Sequence, residues 1–394
     1  MLRRLAAIAP RARLVRALLS TSDEGPAPLR SYTGMRPART RRASKFGQIY
    51  GTDLTSPSRD QNYDQPLWKL HRSSWRHVRH MGEVPFSGVL WRVAWPNLAL
   101  LGANGACLTY YNTAVAPAAP LCCPAEPFTM TTLALGLLVT FRTNASYERY
   151  AEARALWDEV CCASRDLARL ALLWLPADDG RGGAPRRDVL RLVKAFAIAL
   201  KFHLTDDGNY YEFDSDWAPD AKRIRVAMKA ELEEKAELSD DEVGRLCAAA
   251  NRPLWALQQI GSVVHRALDT TNPVDTRVQM ELEDHVQRLM VALGHCERIV
   301  RTPIPTSYTR HTSRFLVIWL HALPFVLWPS TDVATVPATL FVAWALLGIE
   351  DIGVRLEEPF DVLPLWQYAK LIERSIAQLE DGARAGGLDI GQVP

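Results

Sequence analysis

Four side chains between residues 129 and 141 recur with the spacing of one helical face. Thr129, Leu133, Leu137 and Phe141 lie four residues apart, so on an α-helix they form a nearly straight stripe. Around an axis shared by several copies, this stripe would form rings of mostly apolar side chains, a constriction that gates a conduit by dewetting. The alternative is an ordinary stripe that packs into the protein core, and the spacing alone does not separate the two.

Polar side chains follow this stripe along the chain. Asn144 and Glu148 continue the same face, and Arg142 lies beside it. Arg142 and Asn144 are therefore candidate N–H donors to an anion that has lost part of its hydration. For Arg142 the alternative is an anchor that reaches lipid headgroups or pairs with a neighbouring acid. Because a bare carboxylate would repel an anion, we expect Glu148 to be paired, for example with Arg149 or Arg154.

The segment that carries these residues changes from apolar to polar without a break. TLALGLLVTFRTNASYERY (132–150) contains no Gly-Pro or Asn-Gly turn and no capping signal in its middle. One continuous helix that narrows a conduit inside a membrane and widens it outside would have this pattern. Since one chain cannot close a ring, the hypothesis requires an oligomer, most economically a cyclic one.

The charges around four apolar segments favour membrane insertion. The segments are 93–110, 128–141, 315–328 and 333–349. Each is at or below the roughly 17 to 25 residues of a spanning helix, so length alone also allows buried core helices. The connectors 112–127 and 329–332 contain no Lys or Arg, whereas HRSSWRHVRH (71–80) is basic. This asymmetry follows the positive-inside rule and predicts four crossings.

Between the two apolar pairs lie about 160 residues with helical spacing of apolar residues and few strand signals, so we predict an all-α protein. The predicted organisation has five parts. They are a leader at 1–50, a basic helix with the first two crossings at 66–150, a soluble helical domain at 151–312, the last two crossings at 313–350, and a C-terminal soluble segment at 351–394.

The first 45 residues differ in composition from the rest of the chain. They hold ten Arg, opposed only by Asp23 and Glu24. An Arg-rich, acid-poor and amphipathic leader is typical of an organellar transit peptide. The alternative is a disordered basic arm.

Several classes of function are disfavoured. A net charge of +2 without a basic stripe gives no argument for a nucleic-acid partner. The seven cysteines contain no C-x-x-C pair, so we interpret them as buried small apolar residues, and His77 and His80 as a surface pair. ELEDH (281–285) spaces Glu281 and His285 four apart and occurs once, unlike the paired E-x-x-H motifs of a di-iron oxidase. We therefore predict no enzyme activity, no metal and no cofactor.

Three segments resemble the bestrophin family, specifically its plastid branch of thylakoid voltage-dependent chloride channels and algal bestrophin-like proteins. The segments are FRTNASYERYAEARALW (141–157), IPTSYTRHTSRFL (304–316) and GIEDIGVRLEEPFDVLPL (348–365), and the resemblance covers 66–380. It implies a helical channel protomer with four transmembrane helices and a large helical soluble region, which assembles as a homopentamer around one anion pore.

The resemblance also implies two narrow regions in that pore. The neck would be formed by Leu133, Leu137 and Phe141 of the second crossing, with Thr129 above them. A second aperture, in the soluble region, would be formed by Ile304.

This chain departs from the family pattern at three places. EPFDVLPLW (358–366) has only Asp361 where animal members carry a run of acids that binds calcium, so we predict no such site. The neck is mostly Leu where animal members are rich in Phe, which removes ring edges that could favour an anion. Ala151 stands where the family's YERYWEAR form has Trp.

The implied function is passive flux of chloride or bicarbonate across the thylakoid membrane, with copies of the chain itself and membrane lipids as further partners. Bicarbonate delivery to the lumen and chloride flux that tunes the membrane potential would use the same pore, and voltage gating is expected from the resemblance. The mitochondrial inner membrane and the chloroplast envelope are alternative locations, since their import leaders are similar. A non-conducting membrane scaffold is the alternative function.

Overall fold

The regular structure of the described residues is helical. The computed structural model describes residues 68–69, 71–78, 95–177, 184–205, 219–268 and 273–387, so the predicted leader and most of the acidic loop 206–220 lie outside it. The helices are α1 (Trp95–Tyr110), α2 (Ala125–Trp174), α3 (Pro185–Leu204), α4 (Pro219–Lys235), α5 (Asp240–Ala248), α6 (Arg252–Ala267), α7 (Pro273–Arg301), α8 (Thr306–Thr331), α9 (Thr335–Glu357), α10 (Pro359–Val362) and α11 (Leu365–Ala385). A π-helical turn, Tyr111–Val115, extends α1. The prediction of an all-α fold is confirmed.

Helix α2 is continuous over 50 residues. At 1.5 Å per residue it is about 75 Å long, more than twice the roughly 30 Å of a bilayer's hydrocarbon core. It ends at Trp174 because Leu175 precedes Pro176 and has extended backbone (φ −78°, ψ 147°). The prediction of one unbroken helix from an apolar to a polar segment is therefore confirmed. The boundary predicted at residue 150 lies inside this helix, so the two predicted domains share it.

The first part of α2 packs in an apolar bundle with α1, α8 and α9. Buried side chains from the four helices meet there, including Leu101, Leu135, Leu320 and Ala343. The helices approach closely where residues are small. A Cβ added at Gly105 of α1 would lie 3.5 Å from the Val336 side chain of α9, which is the close packing that small residues allow between membrane helices.

Helices α8 and α9 form a hairpin. They are joined by the short 3₁₀ turn Asp332–Ala334 and pack against each other, and Asp332 takes a left-handed backbone (φ 46°) at the reversal. Within the described ranges, Thr306–Glu357 is the one helical segment that is long and apolar enough to cross a membrane by length and composition. Its 52 residues would extend about 78 Å as one helix. The turn instead folds it into two antiparallel arms.

The outer surface of this bundle is apolar. Leu100, Met130, Ile318 and Phe341 are all exposed on it, one from each helix. A soluble monomer rarely exposes contiguous apolar surface of this kind, whereas a bilayer stabilises it. The bundle therefore has the surface of a membrane-embedded unit.

The second part of α2 packs in a separate core with α3, α6, α7 and α11. Helix α3 lies at its centre, with 16 of its 20 residues buried. Trp157 of α2 is fully buried there and stacks on Tyr368 of α11, with ring centroids 5.7 Å apart. A helix that is buried on nearly all sides must be surrounded by other helices, and α2, α4, α6, α7 and α11 all contact α3.

The cysteines are only partly as predicted. All seven are free; Cys161 and Cys296 are buried, Cys247 is intermediate, and Cys107, Cys122, Cys123 and Cys162 are exposed. The prediction of buried small residues is wrong for these four. Three of them lie on the apolar bundle or its connector, where hydropathy predicts an apolar environment but not burial inside the protomer.

Helix α3 also buries a charge. Lys201 is completely inaccessible, and its Nζ lies 2.5 Å from Glu231 Oε2 and 4.7 and 4.9 Å from the ring centroids of Phe202 and Trp366. Burial lowers the pKa of Lys201 from 10.5 to about 8, opposed by the attraction of the Glu231 carboxylate. Glu231 also accepts from Lys235 at 2.6 Å, and its pKa is lowered because the two ammonium groups outweigh the effect of its own burial.

We predict that the wild-type protein becomes more stable as the pH rises from about 8 to 10.5, and that Lys201→Met abolishes this gain. Between about pH 8 and 10.5 the unfolded chain holds the Lys201 proton more tightly than the folded protein does, so folded stability increases as pH rises through that window. The gain in the free energy of unfolding across this pH window is at most roughly 3 kcal/mol. Thermal unfolding of both proteins in detergent should show that the stability of the wild type increases relative to that of Lys201→Met between about pH 7 and 10. Parallel profiles would contradict the prediction.

Candidate functional site

The predicted stripe faces away from both cores of the protomer. It consists of Thr129, Leu133, Leu137 and Phe141, here called the neck stripe, and all four side chains are exposed, the last three by 71, 47 and 61%. On the opposite face of α2, Leu135 and Val139 are 3 and 6% exposed and pack into the apolar bundle. The alternative interpretation of the stripe as core packing is therefore wrong for the protomer.

The exposed face of α2 becomes polar just beyond Phe141. Asn144 and Glu148 are both exposed and continue the face of the neck stripe, as their spacing predicts. The expectation that Glu148 pairs with Arg149 or Arg154 is not met within the described part of the protomer. Arg149 instead donates to the backbone carbonyls of Ile299 and Thr302, both at 2.6 Å, and of Glu357 at 3.2 Å.

Arg142 does not share the exposed face of α2 with Asn144. This corrects the prediction that Arg142 contacts anions. The residue is 4% exposed and lies on the packed face of α2. Its Nη1 donates to the Glu350 carboxylate of α9, and its Nη2 lies 4.0 Å from Glu357 Oε2. The interpretation that pairs Arg142 with a neighbouring acid is the one the structure shows. A guanidinium held by two carboxylates is stabilised in its buried position and is not available to an anion on the exposed face.

Ile304 lies in the turn between α7 and α8 and is half-buried. Its backbone N–H donates to Glu357 Oε1 at 3.2 Å. Close by, the Tyr308 hydroxyl donates to the Leu138 carbonyl of α2 at 3.0 Å. Together with Arg149, these contacts attach the turn to α2 and α9.

A cavity of about 410 Å³ lies beside these contacts. Arg142, Arg149 and Glu357 line it together with Phe360 and Asp361 of α10, so it contains both signs of charge. Among the described residues, no group of three or more His, Cys, Asp or Glu side chains is arranged to hold a metal ion.

A groove of about 380 Å³ lies at Ala151, the position where the family pattern has Trp. Tyr147, Tyr150 and Arg154 of α2 and Tyr368 of α11 also line it. Ala151 is exposed at this groove, so a larger side chain there would occupy part of it.

Neither Glu350 nor Glu357 was predicted as a site residue, although both lie in the segment 348–365 that resembles the family. The position of Glu350 in the sequence was the signal that could have identified it. Glu350 directly follows the apolar segment 333–349, and an ionisable side chain at the end of a membrane helix commonly has a specific partner. That partner, Arg142, lies 208 residues away in sequence, so local spacing could not identify it.

The fold and the site define a helical membrane protein whose longest helix exposes an apolar stripe. A family model described as Bacterial/Fungal Bestrophin protein matches residues 68–378. The chain therefore belongs to the bestrophin family, and the resemblance found in its motifs is confirmed.

Two plant relatives agree with this assignment, and a bacterial structure shares the fold. Voltage-dependent chloride channel 2, chloroplastic, of Arabidopsis thaliana is 33% identical over 79% of this chain and 70% of its own length. Its channel 1 counterpart is 32% identical over 80% of this chain and 72% of its own length. A bacterial bestrophin homologue from Klebsiella pneumoniae shares the fold, with a TM-score of 0.59 and 23% identity over 73% of this chain and 98% of that one.

We predict that Arg142→Ala strongly destabilises the protein, because it leaves Glu350 in a largely buried site without its cation. The expected loss is about 3 kcal/mol, and Arg142→Leu combined with Glu350→Leu should recover most of it. Arg298→Ala is the control, since Arg298 pairs with Glu152 on the surface (56 and 42% exposed) and should contribute under about 1 kcal/mol. Thermal unfolding in detergent measures all three. Similar losses for Arg142→Ala and Arg298→Ala would contradict the importance given to the buried pair.

Proposed function

We propose that this protein is an anion channel of an organellar membrane, in which five copies surround one pore and the neck stripe forms its constriction. The observation that carries the proposal is the exposure of Leu133, Leu137 and Phe141 on a helix that is packed on its other side. Chloride or bicarbonate would pass down its electrochemical gradient through the rings that these side chains form.

The bundle surface supports placing the constriction in a membrane. Its exposed apolar residues, the α8–α9 hairpin and the absence of Lys and Arg from the connectors 112–127 and 329–332 all fit four crossings with both connectors on one side. The apolar part of α2 would then span the bilayer, and its polar part would extend into the compartment that holds the soluble core.

The chemistry of the proposed pore follows from the exposed face of α2. Rings of Leu and Phe offer no hydrogen bonds, so an anion that passes them must lose part of its hydration shell. With Arg142 paired to Glu350, Asn144 is the remaining proposed donor, and its amide would meet the ion just beyond Phe141. Ile304 would form a second aperture farther along the same path.

The relatives support the location and the type of ion. Two relatives from Arabidopsis thaliana are named chloroplastic voltage-dependent chloride channels, and the Arg-rich leader of this chain is of the kind that organelles import. We therefore propose the chloroplast as the organelle and the thylakoid membrane as the site, with flux that responds to voltage. Bicarbonate delivery to the lumen is the second candidate role for the same pore.

We predict that Leu137→Ala increases the anion current of the purified oligomer in a planar bilayer, because it widens one apolar ring and lowers the dewetting barrier. Ile318→Ala is a matched control, since it removes a similar volume from an exposed apolar side chain of α8, away from the stripe. The measurement uses a chloride gradient and then a bicarbonate gradient. The reversal potential should follow the anion gradient in each protein, and Ile318→Ala should behave as wild type.

Two results would contradict the proposal. An absence of current from intact oligomers of both wild type and Leu137→Ala would favour the membrane scaffold. Equal increases for Leu137→Ala and Ile318→Ala would mean that the neck stripe is not the constriction. Current under a chloride gradient but not a bicarbonate gradient would exclude bicarbonate delivery.

A further inference from the structure

Glu357, the last residue of α9, joins three elements. Its Oε1 accepts from the Ile304 N–H at 3.2 Å, and its Oε2 lies 4.0 Å from Arg142 Nη2. Its backbone carbonyl accepts from Arg149 Nε at 3.2 Å. The carboxylate is 15% exposed, so water competes little for these contacts. One residue of α9 thus binds the α7–α8 turn and two arginines of α2.

The turn that Glu357 binds is unusual in its composition. Ile304 stands between Pro303 and Pro305, and proline has no backbone N–H. The Ile304 N–H is therefore the one backbone donor of this tripeptide, and Glu357 accepts its hydrogen bond. The two prolines also restrict the backbone on each side of Ile304. Pro303 and Pro305 fix their own φ angles, Pro305 restricts the backbone of Ile304 before it, and a carboxylate holds the Ile304 amide, so the direction in which the Ile304 side chain leaves the backbone is closely defined.

The same face of α9 also binds α2 next to the neck stripe. Glu350 lies seven residues before Glu357, which is two helical turns and so the same face. Glu350 binds Arg142, and Arg142 is adjacent to Phe141, the last residue of the stripe. A shift of this face of α9 would therefore act on both Phe141 and Ile304.

We propose that Glu357 is a positioning residue that orients Ile304 at the aperture and couples the aperture to the neck through Arg142. The proposal rests on the channel function proposed above. The Arg142 guanidinium offsets the Glu357 charge, so the carboxylate can hold the turn without presenting a full negative charge to a passing anion. Loss of Glu357 should loosen Ile304 and change which anions pass the aperture most readily.

The first arm of the test measures the contact itself. In hydrogen–deuterium exchange of the purified oligomer, the Ile304 amide is the one exchangeable backbone site between Pro303 and Pro305. Glu357→Ala should accelerate its exchange by about tenfold or more, since a hydrogen bond to a charged group is lost. Glu357→Gln keeps an acceptor and should give a smaller increase. Glu358→Ala removes the same charge one residue along and should leave the exchange unchanged.

The second arm measures the aperture in planar bilayers. Relative permeability to nitrate and chloride is compared in wild type, Glu357→Ala, Ile304→Ala, the double variant that combines these two changes, and Glu358→Ala. Glu357→Ala should shift the ratio in the same direction as Ile304→Ala, and the double variant should match Ile304→Ala alone, because both changes act through one side chain. Glu358→Ala should keep the wild-type ratio. Additive shifts, or a wild-type ratio in Glu357→Ala, would overturn the proposal.

The two arms separate this inference from the channel function. If wild type conducts as expected but neither the exchange nor the permeability ratio responds to Glu357, the channel function stands and the role of Glu357 is overturned. If intact wild-type oligomers pass no current, the channel function falls and the aperture role falls with it. In that case faster exchange of Ile304 in Glu357→Ala would still establish the contact as structural only.

Discussion

The structure depends on one constraint, that a single 50-residue helix must be packed along one side from Leu135 to Leu172 and left exposed along the other. Helix α2 meets this constraint by joining two different cores in succession. Leu135 and Val139 pack among the apolar helices, and Trp157, Val160 and Leu167 pack around α3. Because the burial side is so well defined, the opposite side carries the exposed stripe without interruption from Thr129 to Glu148.

The junction between the two cores is where charges are buried. Arg142 lies between Val139 of the first core and Ala153 of the second, at a level of the helix that belongs to neither core. Two carboxylates of α9 pair with its guanidinium, and Arg149 satisfies carbonyls at the end of α7. Without such partners, a charge at this position would cost several kcal/mol in desolvation. The pairing therefore makes the passage from one core to the other possible.

The features that could be predicted from the sequence were those that depend on local period. The neck stripe, the continuity of α2 and the helical class all follow from spacing within about 20 residues of one another. Two roles were predicted for Arg142, contact with anions and pairing with an acid, and the sequence could not decide between them. Spacing shows that Arg142 lies near Asn144 in sequence but not that the two side chains lie on different faces of α2. Deciding that requires Glu350, which is 208 residues away. The same holds for Ile304, whose hydrogen-bond acceptor is 53 residues away.

The unbroken course of α2 also has a mechanical consequence. From Phe128 to Trp174 the helix contains no proline and only Gly136 as a flexible residue, so it has no evident hinge. It should then move as a stiff lever whose fulcrum is the charged junction at Arg142. The arm on the soluble side is about 48 Å long and the arm through the apolar bundle about 26 Å. A displacement at the soluble end is therefore delivered to the membrane end reversed in direction and reduced by roughly half.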